Sequence, residues 1–565
     1  MIATASTKLE PLPWKVQSLS PLQRLSFVHR IASYMTTSSL LLLLVTGSLL
    51  VGVGQLARLF RLNDAGYPDT YILYAVQRFE QTGSIYHDLA KPPYTPAQYS
   101  PLVYIFYRLP AQIPFQNPSL GPRLAALSAF LLCVAMVISI ARVLISVRAA
   151  WFWALLMATS IMSLQYWPVQ LRGDFPGIFF SLGAIRFLLS RFRYRALLAG
   201  MCAGLATQFK FTFVAALVAG ALWLLFRKQW KHLGLFAAGG ATFSLGMYFL
   251  FWLREPRMLS QILSWGPCVR DVKGCLRLFS MAVREPLLVL ALPALPVIGQ
   301  RRGSGWRLLS LYIGVSFAIA GLTDIQAGGN VNYFYEGLFA LVPLSVLGAF
   351  HLMAWSRANM AVAVFLTGLI LIHFWPRDEE AFFVARAESN PHTIMLENQQ
   401  FRRIVDSLQG RHIFSTIPRM AVLDPHPVLV EPYLMSYLQL LGKINPQAIL
   451  RSVRAGEYDL VITADHRQSW RGVPFIQPDL GDAIMAAYNP YCRVEIGVAP
   501  RLSGMVVYLP RRGVEGTDLA QKLRQSGCEP YREPSAPPLV GVFSSIPEPP
   551  QDPVYSEALF RAREK

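Results

Sequence analysis

AGYPDTYILYAVQRFEQTGSIYHDLAKPPYTPAQYSPLVY, residues Ala65 to Tyr104, lies between the first two strongly apolar segments of the chain. It is polar, aromatic and acidic sequence held against a membrane surface by the spans on either side. Within it Pro68 suits a first helical position, Ile72, Leu73, Val76 and Phe79 recur at helical spacing, and Gly83 supplies a stop. One short amphipathic helix is therefore expected, with Asp69 at its start. A helix of this kind lies flat in the interface, with Tyr71, Tyr74 and Tyr86 at headgroup depth and a carboxylate facing water.

Composition sets the class around this loop. The chain has 565 residues, is 53% hydrophobic and only 15% charged, and has a mean hydropathy of +0.37. That is too apolar for an ordinary soluble protein, and a polytopic α-helical membrane protein is expected. The net charge of +19, from 52 basic and 33 acidic residues, does not point to nucleic acid. The basic residues flank apolar segments, where they act as topology signals.

Residues 1–33 show no short apolar core followed by a small-residue cleavage site, so an uncleaved cytoplasmic tail is expected. The membrane part, residues 34–375, divides into about eleven spans. They are expected near Tyr34 to Leu56, Pro122 to Ile145, Trp151 to Trp167, Phe175 to Leu189, Ala196 to Gln208 and Phe211 to Phe226. The rest are expected near Leu233 to Leu253, Pro286 to Ile298, Leu308 to Leu322, Tyr333 to Phe350 and Met360 to Phe374. Several fall short of the roughly 20 residues of a perpendicular span, which marks broken helices or helices buried in protein. Arg142 and Arg148, then Arg191, Arg193 and Arg195, then Arg227, Lys228 and Lys231, then Arg301, Arg302 and Arg307 fall in alternate loops, which are therefore cytoplasmic. The alternation puts the first loop, 57–121, and the segment 376–565 outside.

The outer segment has the composition of a soluble domain. HIFST, PVLVE, YDLVIT and MVVYLP are short β-rich runs separated by helical stretches at Tyr433 to Leu441 and Ile444 to Val453, so a small α/β or α+β domain is expected. Glu529 to Pro553 is rich in Pro and Ser and reads as extended chain. The domain has no glycine-rich phosphate loop, zinc-type spacing or internal repeat. An accessory domain that packs over the membrane part and covers an acceptor site is the expectation. Cys268, Cys275, Cys492 and Cys528 all fall outside, where disulfides form, with Cys268 to Cys275 as the first candidate pair and four unpaired thiols as the alternative.

Polar groups collect on the external face in three places. In the first loop, Asp69 is the leading candidate for chemistry, its bland alternative being an acid that stabilises a helix N-terminus. His87 and Asp88 follow, and Tyr94, Tyr99, Ser100 and Pro101 lead back to the membrane as interface anchors or as a sugar-binding wall. The second cluster, QLRGDFPG over residues 170–177, puts Arg172 and Asp174 at the mouth of two spans, facing water or each other. Lys210 in ATQFKFTF either snorkels outward or meets a lipid phosphate. The third, TDIQAGGNVNYFYEG over residues 323–337, combines a tight turn at Gly328 and Gly329 with the amides of Asn330 and Asn332, then Tyr333 and, inside a span, Glu336. Arg254, Arg257, Arg270 and Arg277 of the neighbouring loop can supply phosphate contacts or stand solvated.

The order of these features carries a resemblance. An acidic amphipathic first external loop, the YxPxxYSPL return at Tyr94 to Leu102, RGD at 172–174, QxK at 208–210 and GGNxNYFxE at 328–336 together resemble the polytopic GT-C-fold glycosyltransferases. The similarity is to the bacterial branch of aminoarabinose and protein mannosyl transferases and covers roughly residues 30–375. It implies inverting transfer of a sugar from a polyprenyl-phosphate donor to a lipid, glycan or protein acceptor, at the outer face of the bacterial inner membrane. On this resemblance Asp69 is the base, Asp88 its reserve and Asp174 a further catalytic acid. Arg172, Lys210 and Arg270 bind the donor phosphate, and Tyr99, Asn330, Asn332, Tyr333 and Glu336 line the substrate. Where some members have an adjacent Asp-Glu pair, this chain has separated acids, Asp64 and Asp69. A divalent metal is compatible with the family, but no cofactor is certain and no clear ligand set supports one. The competing class is a transporter, flippase or scaffold for lipid-linked sugars, against which stand the absence of repeated halves and the size of the outer segments.

Overall fold

The computed structural model describes residues 21–62, 69–161, 164, 167–263, 272–283, 285–300, 304–325, 330–358, 391–423, 427–464, 469–470, 473–474, 476, 478–494, 505–511 and 518–531. The tail over 1–20, Asp64, Cys268, Arg270, Gly328, Gly329, the span expected at Met360 to Phe374 and the end from 532 lie outside those residues.

The membrane part opens with α1 (Pro21–Leu59), followed by α2 (Asp69–Thr82), α3 (Pro101–Ala111), α4 (Leu120–Leu144), α5 (Ala150–Thr159), α6 (Asp174–Leu188), α7 (Arg195–Phe209) and α8 (Ala215–Phe226). Next come α9 (Trp230–Ala241), a π turn at Thr242–Gly246 and α10 (Met247–Arg254), which form one apolar rod, and the short α11 (Met258–Ile262). The series closes with α12 (Val272–Val283), α13 (Pro286–Ala291), α14 (Leu295–Gln300), α15 (Ser304–Asp324) and α16 (Tyr335–Ala358). Among the described residues five helical stretches are long and apolar enough to cross a membrane: Leu40–Leu59, Leu120–Leu144, Trp230–Arg254, Gly305–Asp324 and Val331–Ala354.

Two features shape the mouth of this bundle. Within the segment expected to span from Trp151 to Trp167 the α5 helix ends at Thr159, and between Ser160 and Gly173 the described residues run in short turns with Pro168 among them. The α6 helix then begins at Asp174, where a carboxylate meets the positive end of the helix dipole. Below, small residues bring backbones together: a Cβ on Gly200 of α7 would lie 2.1 Å from the Phe236 carbonyl of α9. The core runs through Phe130 and Val137 of α4, Phe175, Leu182 and Ile185 of α6, and Phe339, Val342 and Val346 of α16, all buried.

The first-loop helix forms as its sequence predicts. Gly83, at φ +71°, ends α2 in the left-handed region that glycine adopts without a Cβ clash. Ile72, Leu73 and Val76 are buried against Val103, Tyr104 and Tyr107 of α3. The tyrosines expected at headgroup depth are placed otherwise. Tyr86 is 2% exposed and its hydroxyl donates to the Tyr99 carbonyl at 2.6 Å, while the Tyr71 hydroxyl donates to the Thr416 carbonyl at 3.0 Å. The correction has a simple cause: the C-terminal domain packs on α2, so this helix is sandwiched by protein rather than laid on lipid.

That domain is built on a six-stranded mixed sheet of order β2-β1-β3-β7-β6-β8. Its strands are β1 (Ile413–Ser415), β2 (Val428–Leu429), β3 (Leu460–Ala464), β6 (Tyr488–Val494), β7 (Met505–Pro510) and β8 (Glu529–Pro530), with a separate hairpin of β4 (Ser469–Trp470) and β5 (Val473–Pro474). β1 pairs parallel with β2 and β3, and the other pairings in the sheet are antiparallel. Helices α17 (Pro391–Ser407), α18 (Pro418–Leu423), α19 (Pro432–Leu440), α20 (Gln447–Arg454), α21 (Pro478–Ala487) and α22 (Asp518–Gln525) complete it. The first loop is stitched to this sheet: the Tyr94 amide donates to the Leu429 carbonyl at 2.9 Å and the Glu431 amide to the Tyr94 carbonyl at 3.0 Å, so Tyr94 extends the β2 edge. The Asn398 side chain of α17 accepts from the Leu62 amide at 2.7 Å and donates to the Phe60 carbonyl at 3.0 Å. The described disulfide is Cys492 with Cys528, Cα atoms 5.6 Å apart, because β6 and β8 run side by side there. The other expected pair involves Cys268, outside the described residues.

Candidate active site

The turn between α5 and α6 is held from behind by Asp69. Its Oδ1 accepts the Leu171 amide at 2.7 Å, and its Oδ2 accepts Arg123 Nη2 at 2.7 Å and Nε at 3.2 Å. Arg123 Nη1 donates in turn to the carbonyls of Arg58, at 3.1 Å, and Arg61. Both side chains are sealed, at 0% and 1% exposure, so this is a hydrogen-bonded buried pair joining the ends of α1, α2 and α4 to residue 171. Tyr107 of α3 holds the next residue, donating to the Arg172 carbonyl at 2.7 Å and accepting its amide at 3.0 Å. Burial pushes the Tyr107 phenol well above its ordinary range, so it stays a neutral donor.

On the front of the same turn, elements far apart in sequence converge. Asp174 Oδ1 accepts Lys210 Nζ, from the end of α7, at 3.1 Å and Asn332 Nδ2, from the turn before α16, at 2.9 Å. The Lys210 ammonium stands 3.7 Å over the Tyr333 ring, and the Arg172 guanidinium 4.1 Å over the Trp167 ring. Tyr99 is close enough to feel Arg172, Asp174, Lys210 and Tyr333, and burial raises its phenol above the usual value. Asp174 Oδ2 and Asn332 Oδ1 are buried and have no hydrogen-bond partner among the described residues. Two buried acceptor oxygens beside two cations and three aromatic rings form a polar cluster whose chemistry suits hydroxyls and an anionic group.

Of the residues expected from sequence, the structure brings Arg172, Asp174, Lys210, Asn332, Tyr333 and Tyr99 together. Asp69 sits directly behind them, with both carboxylate oxygens engaged. Asn330 Oδ1 accepts the Val331 amide at 2.7 Å and caps the 3-10 turn Val331–Phe334. Glu336 lies deeper, buried in α16, and accepts from the Tyr312 hydroxyl at 2.8 Å. Asp88 is elsewhere: partly exposed, it accepts the Ala90 amide, which holds its carboxyl below the usual range, and it faces Arg257 at 3.3 Å. Sequence reasoning missed Arg123, Tyr107 and Trp167. Arg123 had a signal, a cation entering an apolar helix, where an ionisable residue by default has a task. Among the described residues no three His, Cys, Asp or Glu side chains gather in one place.

No protein-family model and no curated protein matches the sequence. Solved structures do. ArnT from Cupriavidus metallidurans in the apo state superposes with a TM-score of 0.54 at 13% identity, over 84% of this chain and 98% of that one. The same protein bound to undecaprenyl phosphate gives 0.53 at 13%, over 83% and 97%. The apo oligosaccharyltransferase of Archaeoglobus fulgidus gives 0.47 at 12%, over 84% and 74%. The likeness to ArnT shows the fold: the GT-C membrane architecture that the sequence resemblance implied.

Proposed function

We propose that this protein is a glycosyltransferase of the outer face of a bacterial inner membrane, moving a sugar from a polyprenyl-phosphate donor to a hydroxyl of a lipid, glycan or protein. The observation that carries the reading is the meeting of Asp174, Lys210, Asn332 and Tyr333, from three separate segments, at the mouths of α6, α7 and α16. That one ArnT structure holds undecaprenyl phosphate supports a lipid phosphate as donor. An eleven-span topology, with the N-terminus cytoplasmic and the C-terminal domain outside, belongs to the same proposal.

In this reading the acceptor oxygen attacks the sugar C1 as the C1–O bond to phosphate breaks. The acceptor proton passes to Asp174 Oδ2, the carboxylate oxygen without a partner among the described residues. The bonding electrons leave with the phosphate, whose charge Lys210 and Arg172 stabilise. Tyr99, Tyr333 and Trp167 offer ring faces to the sugar, Asn332 Oδ1 accepts from one of its hydroxyls, and Glu336 with Asn330 supports the α16 side of the pocket. Asp69, with both oxygens bound, is assigned the positioning of the 171–174 turn rather than proton removal, and Asp88 has no role. Inverting stereochemistry follows from a single displacement.

The test is transfer of labelled sugar from polyprenyl-phosphate donors in membranes containing the intact chain or Asp174→Asn. The expected result is transfer by the wild type and a loss of about 100-fold or more in the variant with undecaprenyl-phosphate binding retained. Undiminished transfer by Asp174→Asn overturns the base assignment. Binding without transfer by the wild type, across a donor panel, favours a carrier or scaffold for lipid-linked sugars.

A further inference from the structure

At the end of α6 remote from this site is a second recess, which none of the chemistry above uses. It has a volume of about 390 Å³ and lies between one stripe of α4 (Leu132, Ala135, Met136 and Ser139) and one stripe of α6 (Phe179, Arg186 and Phe187) continuing to Ser190. The volume falls within the roughly 300–1,000 Å³ of ordinary ligand sites. Leu132 is 48% exposed and Phe192, at the lower lip, 53% exposed, so the recess opens sideways from the bundle. Its position is fixed by helix geometry. Asp174 and Arg186 are at opposite ends of α6, and Arg123, near the outer site, and Ser139 are similarly separated along α4; each pair spans roughly 20 Å at 1.5 Å per residue. The recess therefore faces the leaflet opposite the proposed transferase site.

Its polar end is cationic. Arg186 lines the recess and donates from Nε to the Ser139 hydroxyl at 2.7 Å, which fixes its position there. No described carboxylate pairs with it. Arg142, exposed in the last turn of α4, and exposed Arg191 and Arg193 just beyond Ser190 add positive charge at the same end, while the α4 and Phe179 walls are apolar. We infer that this recess holds an anionic glycerophospholipid of the inner leaflet, with its phosphate on Arg186 and Ser139 and one acyl chain along Leu132, Met136 and Phe179. The charge asymmetry argues for this occupant over a zwitterionic one. A planar guanidinium binds a phosphate through paired N–H donors, and basic recesses between membrane helices on the positive side collect anionic headgroups. The inference rests on the membrane reading of the chain and is independent of the transferase chemistry.

Native mass spectrometry of the full chain in detergent, with dioleoyl phosphatidylglycerol or dioleoyl phosphatidylcholine added, reads the site directly. Wild-type protein is expected to retain phosphatidylglycerol in excess over phosphatidylcholine. Arg186→Gln is expected to lose about fivefold of that preference, the factor carried by one cation at a lipid surface. Ala135→Trp, which fills the exposed wall and leaves Arg186 in place, is expected to reduce retention of both lipids at this site. Equal retention of the two lipids by wild type, a preference unchanged in Arg186→Gln, or retention unchanged in Ala135→Trp overturns the inference. Binding of undecaprenyl phosphate at the opposite face is expected to be unaffected by either variant, which separates this site from the proposed active site.

Discussion

Asp69→Asn separates an anchoring carboxylate from a catalytic one. In the native protein Asp69 is 1% exposed and Arg123 0% exposed, and the pair joins the Leu171 amide and the carbonyls of Arg58 and Arg61 in one network. Asparagine keeps an oxygen that accepts from either Leu171 or Arg123 but removes the negative charge, leaving the buried guanidinium uncompensated. Breaking such a pair costs about 3–5 kcal/mol, and the surviving hydrogen bond recovers about 1 kcal/mol of it. A loss of roughly 3 kcal/mol is therefore expected, lowering the unfolding midpoint of the detergent-purified protein by on the order of 5–10 °C. Transfer should fall only as far as the 171–174 turn loosens. A double-mutant cycle with Arg123→Met is expected to return a coupling of about 2–3 kcal/mol, since removing both charges leaves none buried alone. If Asp69→Asn melts with the wild type while transfer drops 100-fold, the anchoring argument is refuted and Asp69 is the base.

Lys210→Met keeps the stem but removes the ammonium shared by Asp174 and the Tyr333 face, and should weaken undecaprenyl-phosphate binding by about tenfold or more in a radioligand assay. His87 is buried, which lowers its pKa to about 4, and its Nε2 lies 2.6 Å from the Pro93 carbonyl. The unfolded chain takes up this proton near pH 6.5 and the folded chain only near pH 4, so stability is lost as pH falls through that window. The loss amounts to up to about 3 kcal/mol and should shrink in His87→Gln when melting is followed against pH. Cys528→Ser removes a cross-link closing 36 residues of the C-terminal domain. It should cost that domain about 2–4 kcal/mol in a denaturant titration, an effect reproduced by reductant in the wild type.

The membrane class, the α2 helix up to its stop at Gly83, and the strands at HIFST, PVLVE, YDLVIT and MVVYLP were all determined by local sequence. Their signals are periodicity, caps and composition, which neighbouring residues carry among themselves. Most of the clustered polar residues were also legible one at a time, because a charge at the edge of an apolar run stands out. Their partners were not. Asp69 meets Arg123 across 54 residues, Asp174 meets Asn332 across 158, and Tyr94 joins the β2 edge more than three hundred residues along the chain. Nor does spacing reveal that within Trp151 to Trp167 the α5 helix ends at Thr159 or that Tyr86 turns inward. These outcomes depend on which helices pack together, and in particular on a C-terminal domain seated over the first loop. Burial then separates the two carboxylates: it gives Asp69 a full set of donors, while Asp174, at the front of the same turn, keeps one buried oxygen without a partner among the described residues, the oxygen proposed here as the base.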